Sequence, residues 1–292
     1  MKPAPFTYHR ARDLDGATRL LAELEAREED PKVLAGGQSL VAMMNFRLAR
    51  PAHLVDIGRL DSLRGIRTDA DGALHLGALT THHQVERAPA ESLGRGHAVL
   101  RDAMRWVGHL PIRTRGTVGG SLAHADATAE WCLLATLLDA ELVVHGDGGR
   151  RRVPAAEFFL GYYTTALGAD DLLTEVVFPR PAPHAALTEF AQRHGDFATV
   201  AAAVDLELAA DGRTVRGGRV ALGGVAALPV RVPEAEAVLA RGDTAGDALF
   251  AACGRAAADA VDPPSDAAGS AGYRRRLART LVVQACEEAI AR

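Results

Sequence analysis

The chain has 292 residues, of which 48% are hydrophobic and 24% are charged, as in a soluble globular protein of about two domains. Its formal net charge of −4 lacks the strong basic excess of a general nucleic-acid-binding protein. No run approaches the roughly 20 apolar residues that span a bilayer, and the first residues lack the apolar segment of a secretory signal. We therefore expect no membrane span, no nucleic-acid partner and a cytoplasmic location.

The three cysteines, Cys132, Cys253 and Cys286, are far apart in the sequence. An odd number without C-x-x-C spacing argues against a disulfide framework and favours a reducing cytoplasm. The same spacing excludes a four-thiolate iron–sulfur centre or a zinc ribbon built by this chain alone. We predict no metal site, and we predict that Cys132 is an inert buried thiol.

Apolar periodicity predicts alternating helices and strands in the first half of the chain. A helix is expected over 13–27, a strand over 31–35, a helix from Ser39 to Arg47 and a strand over 53–57. Residues 64–79 hold two strand-like runs around Asp71-Gly72, which is a hairpin signal. Helices are then expected from Thr80-Thr81 to Glu86, over 97–107 and over 128–139, with a polar stretch over 108–120 and a strand over 141–145.

Three prolines within residues 179–184 indicate a linker or a domain boundary. Beyond it, residues 197–208 and 214–225 predict two long strands. Residues 233–292 predict helices, of which the last covers 273–292. This final third is therefore expected to have an α+β pattern.

Two glycine loops carry the strongest chemical signal. Ala35-Gly36-Gly37-Gln38-Ser39 lies between a predicted strand and a predicted helix, and Thr117-Val118-Gly119-Gly120-Ser121 follows Arg113 and Arg115. Glycine lets the backbone approach a ligand closely, and successive N–H groups can form a concave nest for an anion. Two such loops together suit a pyrophosphate, although either one alone is better explained as a turn. Neither is a dinucleotide or P-loop fingerprint.

The remaining polar candidates stay open at this point. His124 and Asp126 could bind a metal, relay a proton or form local hydrogen bonds. Asp126 and Glu130 lie four residues apart at a predicted helix start, where they could accept from ribose hydroxyls or stabilise the helix N-terminus. Tyr162-Tyr163 could lie over a planar ring or belong to the core.

These segments resemble the FAD-binding medium subunit of the molybdenum hydroxylases, the family of xanthine dehydrogenase and aerobic carbon monoxide dehydrogenase. The resemblance runs in order over nearly the whole chain and includes residues 6–8, 35–40, 47–51, 54–57, 112–126, 172–175, 195–198 and 273–275. It implies the FAD-binding fold shared with p-cresol methylhydroxylase, with two α+β subdomains over about 1–58 and 59–178. A smaller C-terminal α+β domain is implied over 185–292.

The resemblance also implies FAD as cofactor and a set of residues that contact it. The family's two pyrophosphate loops map onto Leu34, Ala35, Gly36, Gly37, Gln38, Ser39 and Leu40, and onto Thr117, Val118, Gly119, Gly120 and Ser121. The loop that wraps the cofactor falls on His124 and Asp126, and the family's acidic residue near the FAD ribose falls on Glu130. Because the cofactor performs the redox step, no catalytic acid or base is expected.

The implied activity is electron transfer within an oxidoreductase complex. A large subunit hydroxylates the substrate at a molybdenum centre, and two 2Fe-2S clusters on a small subunit pass electrons to this FAD and on to oxygen, NAD or a quinone. The chain departs from the family pattern at Pro111, Thr114, Ala127, Trp131 and Cys132. The departures at Pro111, Trp131 and Cys132 motivate an alternative, a free-standing FAD-dependent oxidoreductase of specialised metabolism. A second alternative is a flavin-free scaffold subunit, against which the intact glycine loops argue.

Overall fold

The computed structural model describes residues 1–94, 96–146 and 148–292. Its first part is a three-stranded parallel sheet in the order β1-β3-β2. The elements are β1 (Thr7–Arg10), α1 (Leu14–Glu25), β2 (Pro31–Leu34), α2 (Leu40–Asn45) and β3 (His53–Asp56). Asp13 caps α1, since its Oδ1 accepts from the backbone N–H of Gly16 at 2.7 Å. The predicted order of helices and strands is confirmed here, and β1 is an additional strand.

A five-stranded antiparallel sheet follows, in the order β4-β5-β10-β6-β7. The elements of this part are a short 3-10 helix (Asp61–Leu63), β4 (Ile66–Thr68), β5 (Leu74–Gly77), α3 (His82–Glu86), α4 (Ala90–Leu93), α5 (Ala98–Ala103), α6 (Leu110–Arg113), α7 (Val118–His124), α8 (Glu130–Leu137), β6 (Glu141–Gly146), β7 (Gly149–Pro154), α9 (Ala155–Phe158), β8 (Phe159–Gly161), β9 (Thr164–Thr165) and β10 (Leu172–Phe178). The predicted hairpin is β4–β5, and Thr81 caps α3 in a capping box with Gln84.

The structure differs from the sequence expectations in three places of this part. Residues 108–120, expected only as a polar stretch, contain α6 and the start of α7. The central strand β10 gives no strand signal because it is buried on both faces and so lacks alternation. The strand β7 gives no apolar strand pattern in the sequence because it contains three consecutive arginines, which suit a solvent-exposed edge.

The C-terminal part is a four-stranded antiparallel sheet in the order β11-β12-β13-β14, covered by three helices. Its elements are β11 (Ala185–Phe190), β12 (Val200–Leu208), β13 (Val215–Gly223), β14 (Val230–Arg231), α10 (Pro233–Leu239), α11 (Asp247–Asp259) and α12 (Ala271–Ile290). The two predicted strands correspond to β12 and β13. The strand β12 is buried on both faces, since Ala201 and Ala203 join the core of the preceding part while Ala202 and Val204 join the core under the helices.

Helix α8 joins the two parts of the molecule. It is buried along most of its length and packs against β12 and β13. The backbone N–H of Gly224 donates to the carbonyl oxygen of Ala127 at 3.2 Å, just ahead of this helix. Just after it, Asp139 accepts hydrogen bonds from three arginines, Arg180, Arg219 and Arg231. We call the contact between α8 and the C-terminal sheet the domain seam. Within the described ranges, no helix has the length and apolar character to cross a membrane.

Candidate cofactor site

The two glycine loops meet in the structure. A Cβ placed on Gly36 would lie 2.3 Å from the carbonyl oxygen of Arg115 and 2.9 Å from the Cα of Gly116. A Cβ on Gly120 would lie 3.8 Å from the Cβ of Ala35. Only glycine allows the backbones to approach this closely at Gly36. The chain therefore brings two segments about 80 residues apart in sequence into direct contact.

The first loop presents backbone N–H groups without protein acceptors. Within the part of the chain that the structure describes, the N–H groups of Gly36, Gly37, Gln38 and Ser39 donate to no other residue. Gly37 has φ of +72°, a backbone conformation that glycine adopts readily. Ser39 makes no capping hydrogen bond to α2. Four successive donors left open in this way form a suitable cradle for an anion.

The second loop is built differently, which corrects the expectation that it forms a nest of the same kind. The N–H of Val118 donates to the carbonyl oxygen of Thr80 at 2.9 Å, and that of Gly119 to the carbonyl oxygen of Ala78 at 2.8 Å. The N–H of Gly120 donates to Oγ1 of Thr117 at 3.1 Å, and that of Ser121 to the carbonyl oxygen of Thr117 at 3.0 Å. The second loop thus starts a capped helix, and its glycines serve close packing against Ala78 and Ala35.

A cavity of about 760 Å³ opens between the loops. Its lining comprises Leu34, Ala35, Gly36, Gly37, Gln38, Val41, Ala42, Asn45, Asp56, Gly58, Arg59, Arg64, Leu79, Thr81, Thr114, Arg115 and Thr117. Three arginines against one aspartate give the lining positive charge, which favours a phosphate ligand. The guanidinium of Arg64 already donates to the carbonyl oxygens of Leu79 and Gly58. Arg59 and Arg115 make no side-chain hydrogen bond to a described residue, so their charges are available to a ligand.

Three lining residues that the sequence analysis does not place at the site, Asp56, Gly58 and Arg59, lie at the end of a parallel strand or just beyond it. The carboxyl ends of β2 and β3 lie side by side because Leu34 pairs with Asp56. Asp56 accepts from the N–H of Gly58 at 2.7 Å and from the hydroxyl of Tyr8. Ligands commonly bind outside the carboxyl ends of parallel strands. Asp56 to Arg59 directly follow a predicted strand, so this rule could have located them.

Several residues expected at the site lie outside this cavity. These are Ser39, Leu40, Val118, Gly119, Gly120, Ser121, His124, Asp126 and Glu130.

His124, Asp126 and Tyr163 form a small group of their own at the end of α7. The rings of His124 and Tyr163 lie 5.0 Å apart, and the Tyr163 hydroxyl donates to Asp126 at 3.4 Å. Asp126 also accepts from the N–H and the hydroxyl of Thr128, both at 2.8 Å. Asp126 therefore takes part in local hydrogen bonds while His124 makes a ring contact, and no cluster of metal ligands is found in the described ranges.

Glu130 occupies the first turn of α8, at the domain seam. Burial, together with the nearby charge of Asp126, raises the pKa of Glu130 to about 7. The thiol of Cys132 in the same helix is fully buried, and burial raises its pKa well above the usual value. The expectation that this thiol is buried is confirmed.

Behind the second loop lies a buried histidine that holds the loop in place. The backbone N–H of His82 donates to the carbonyl oxygen of Gly116 at 3.1 Å. Trp131 Nε1 donates to His82 Nδ1 at 2.9 Å. Burial and the charge of Arg113 lower the pKa of His82 to about 4. The ring is therefore neutral at pH 7, and because Nδ1 accepts a hydrogen bond, its proton is on Nε2.

Comparison with known proteins identifies the family of the chain. Residues 4–181 match the FAD binding domain in molybdopterin dehydrogenase, and residues 185–289 match the CO dehydrogenase flavoprotein C-terminal domain. Across its whole length the chain is 38% identical to the 6-hydroxypseudooxynicotine dehydrogenase complex subunit alpha of Paenarthrobacter nicotinovorans, of which it covers 97%. It is 34% identical to the carbon monoxide dehydrogenase medium chain of Hydrogenophaga pseudoflava, covering 100% of this chain and 99% of that one.

Solved structures agree with these relatives. A chain of carbon monoxide dehydrogenase from Hydrogenophaga pseudoflava superposes with a TM-score of 0.92 at 34% identity, covering 100% of this chain and 99% of that chain. A chain of quinoline 2-oxidoreductase from Pseudomonas putida 86 gives the same TM-score of 0.92 at 34% identity, with coverage of 100% and 99%. The expected fold class and the expected cofactor, FAD, are confirmed. The chain belongs to the FAD-binding medium subunits of the molybdenum hydroxylases and is an oxidoreductase flavoprotein subunit.

Proposed function

We propose that this subunit carries electrons from iron–sulfur clusters of a partner subunit, through FAD bound at the two glycine loops, to an external acceptor. The observation that carries the proposal is the first loop, in which the free N–H groups of Gly36, Gly37 and Gln38 border a cavity lined by arginines. FAD, when bound, supplies the redox chemistry, because its flavin ring can take up and release electrons. The residues of this chain bind and orient it.

The residues present fit the diphosphate of a dinucleotide. The N–H groups of Gly36 to Gln38 can donate to phosphate oxygens, and Arg59 and Arg115 can neutralise their charge. The carboxylate of Asp56, held by Gly58, can accept from a sugar hydroxyl. Leu34, Val41 and Leu79 give the lining an apolar portion that excludes water.

We propose other roles for the remaining residues that were expected at the site. Val118 and Gly119 are buried and their N–H groups are bonded within the protein, so they support the second loop from behind. Thr117 faces the cavity. His124, Asp126 and Glu130 lie beyond α7, and we propose that they serve a part of FAD other than its diphosphate.

The partners we propose are a large subunit with the molybdenum cofactor and a small subunit with 2Fe-2S clusters. Two relatives are named as medium chains or subunits, and one as a subunit of a complex. The three cysteines of this chain are buried, and although Cys253 and Cys286 lie beside one another, three thiols are too few for a four-thiolate cluster, so the clusters must be supplied by another chain. The same free thiols support the proposal of a cytoplasmic, reducing location.

The experiment begins with the purified single chain. Its absorbance spectrum should show a flavin, and chromatography of the released cofactor should identify FAD. The oxidised chain is then mixed in a stopped-flow instrument with small subunit whose clusters have been reduced and freed of excess reductant. We expect the flavin absorbance to bleach.

Two other results would redirect the proposal. Flavin that stays oxidised beside reduced clusters, together with turnover of a small-molecule reductant by the chain alone, would favour the free-standing oxidoreductase. A colourless chain that fails to take up added FAD would favour the scaffold. The structure gives the free-standing alternative little support, because two of the departures that motivate it, Trp131 and Cys132, are fully buried in the core and cannot shape a substrate pocket.

A further inference from the structure

Helix α2 presents apolar side chains to solvent. It has no charged residue, and of its residues, all of which the structure describes, only Met44 is buried. A helix that is apolar on all sides is normally covered by other structure. Just after this helix, Phe46 and Leu48 are 69% and 76% exposed. Apolar side chains grouped in this way mark a contact with another molecule.

Bound FAD would cover only one side of α2. Val41, Ala42 and Asn45 line the cavity between the glycine loops, so a ligand in that cavity lies against them. Phe46 and Leu48 do not belong to the cavity lining. A different molecule is therefore needed to cover these two side chains. That molecule would lie beside the cofactor, because α2 borders the cavity and leads directly into Phe46.

The exposed apolar residues are accompanied by unpaired positive charge. Arg47 lies between Phe46 and Leu48 in the sequence, and its Nε donates to the backbone carbonyl oxygen of Lys2 at 3.4 Å. Arg50 donates to the carbonyl oxygen of Arg47 at 3.0 Å. Within the described part of the chain, no carboxylate forms an ion pair with these three cations, although the whole chain has a net charge of −4. We call Phe46, Leu48, Lys2, Arg47 and Arg50 the α2 patch.

We propose that the α2 patch is the docking surface for the iron–sulfur subunit that donates electrons to FAD. The facing surface of that subunit is then apolar at its centre and acidic at its rim, which complements the α2 patch in character and in charge. An apolar centre within a polar rim, enriched in Phe and Arg, is typical of protein interfaces. The inference rests on the proposed function, because that function requires an electron donor beside the cofactor.

A second copy of this chain fits the α2 patch less well. In a two-fold dimer each patch faces the same patch of the other copy. Arg47 and Arg50 would then meet the same arginines, and like charges across an interface disfavour the complex. The large subunit is a weaker candidate as well, because the proposed route passes electrons to FAD from the iron–sulfur clusters and so requires only their subunit beside the cavity.

The test is binding of the purified 2Fe-2S subunit to the full FAD-loaded chain, measured by titration calorimetry. Phe46→Ser combined with Leu48→Ser should raise the dissociation constant at least about 30-fold, as truncation of an interface hot spot does. FAD content and melting temperature should stay at their wild-type values, because both side chains are exposed and lie outside the cavity lining. Leu160→Ser is the matched control, since Leu160 is 60% exposed on β8, and it should leave the dissociation constant unchanged.

Charge reversal tests the basic rim separately. Arg47→Glu combined with Arg50→Glu should slow association about tenfold at low ionic strength and remove most of its salt dependence, because opposite charges steer the encounter. Arg216→Glu combined with Arg241→Glu changes the net charge equally at exposed positions of the C-terminal part. This control variant should associate at the wild-type rate.

The outcomes separate the docking surface from the proposed electron transfer. Wild-type affinity in the Phe46→Ser, Leu48→Ser variant would overturn the inference, and so would a wild-type chain that does not bind the 2Fe-2S subunit. If the variant instead loses binding to the large subunit, or loses self-association, the α2 patch belongs to that other contact and the inference is wrong. Binding that the variant loses, without any bleaching of the wild-type flavin by the reduced clusters, would support the docking surface and refute electron transfer as the function.

Discussion

Gly36→Ala tests the close contact between the two glycine loops. The added Cβ would lie 2.3 Å from the carbonyl oxygen of Arg115 and 2.9 Å from the Cα of Gly116. Non-bonded carbon atoms normally stay about 3.5–4.0 Å apart, so the two backbones must separate by about 1 Å. Overpacking of this kind typically destabilises a protein by about 1–3 kcal/mol. The obstacle is backbone, which cannot rotate away as a side chain could.

The same displacement should weaken FAD binding. It moves the N–H of Gly36 away from those of Gly37 and Gln38, so the three can no longer meet one diphosphate. If a loss of about 1–3 kcal/mol appears in binding, the dissociation constant rises by about fivefold to about 150-fold. We would titrate the flavin-free chain with FAD and follow flavin fluorescence, and we would measure the free energy of unfolding in urea on the same preparations.

Gly246→Ala is the matched control for this substitution. Gly246 has an extended backbone with φ of 162°, and an added Cβ would meet no atom within 4 Å. This variant should bind FAD and unfold as the wild type does. If Gly36→Ala also kept the wild-type affinity and the wild-type free energy of unfolding, the loops would not be in the contact described, and the cradle would have to be placed elsewhere.

Three further predictions concern the support and the charge of the site. Replacing Trp131 with phenylalanine leaves the buried Nδ1 of His82 without its donor, so the free energy of unfolding in urea should fall by about 1–3 kcal/mol. An unchanged free energy of unfolding would mean that the hydrogen bond between Trp131 and His82 contributes nothing to stability. Because the pKa of His82 is about 4 in the folded chain and about 6.5 when unfolded, the folded state binds fewer protons between these values, and stability should fall as the pH drops through them. Thermal unfolding of His82→Gln should show a smaller acid loss than the wild type, and an identical loss would contradict the assignment. Arg115→Ala should weaken FAD binding about tenfold at an unchanged melting temperature. Arg113→Ala should mainly lower the melting temperature, because Arg113 donates to Glu86 and to two backbone carbonyl groups. Equal effects of the two variants on FAD affinity would refute the assignment of Arg115 to FAD binding and of Arg113 to stability.

The sequence alone could locate both glycine loops but not their different roles. Paired glycines next to a hydroxyl residue look alike in the two places. Which N–H groups remain free is decided by acceptors far away in the chain, the carbonyl oxygens of Ala78 and Thr80. Local sequence does not encode such long-range partners, so the nest expected at the second loop could be excluded only in the structure.

The fold shows the same limit of local patterns. Amphipathic helices and the β4–β5 hairpin follow from periodicity and turn residues, because each has one exposed face. The strand β10 does not, since its neighbours cover both of its faces and its run Leu172–Phe178 has no polar alternation.

The structure explains two of the departures from the family pattern, Trp131 and Cys132, by their positions in the core. Both side chains are fully buried in α8, where Trp131 bonds His82 and thereby supports the segment that Gly36 contacts. Neither residue lines the cavity between the loops. A large indole in that position fills core volume and supplies a donor to a neutral histidine, so the change concerns how the second loop is held in place. Residues that reach the cavity, such as Arg59 and Arg115, are therefore better candidates than these departures for setting how tightly FAD is bound.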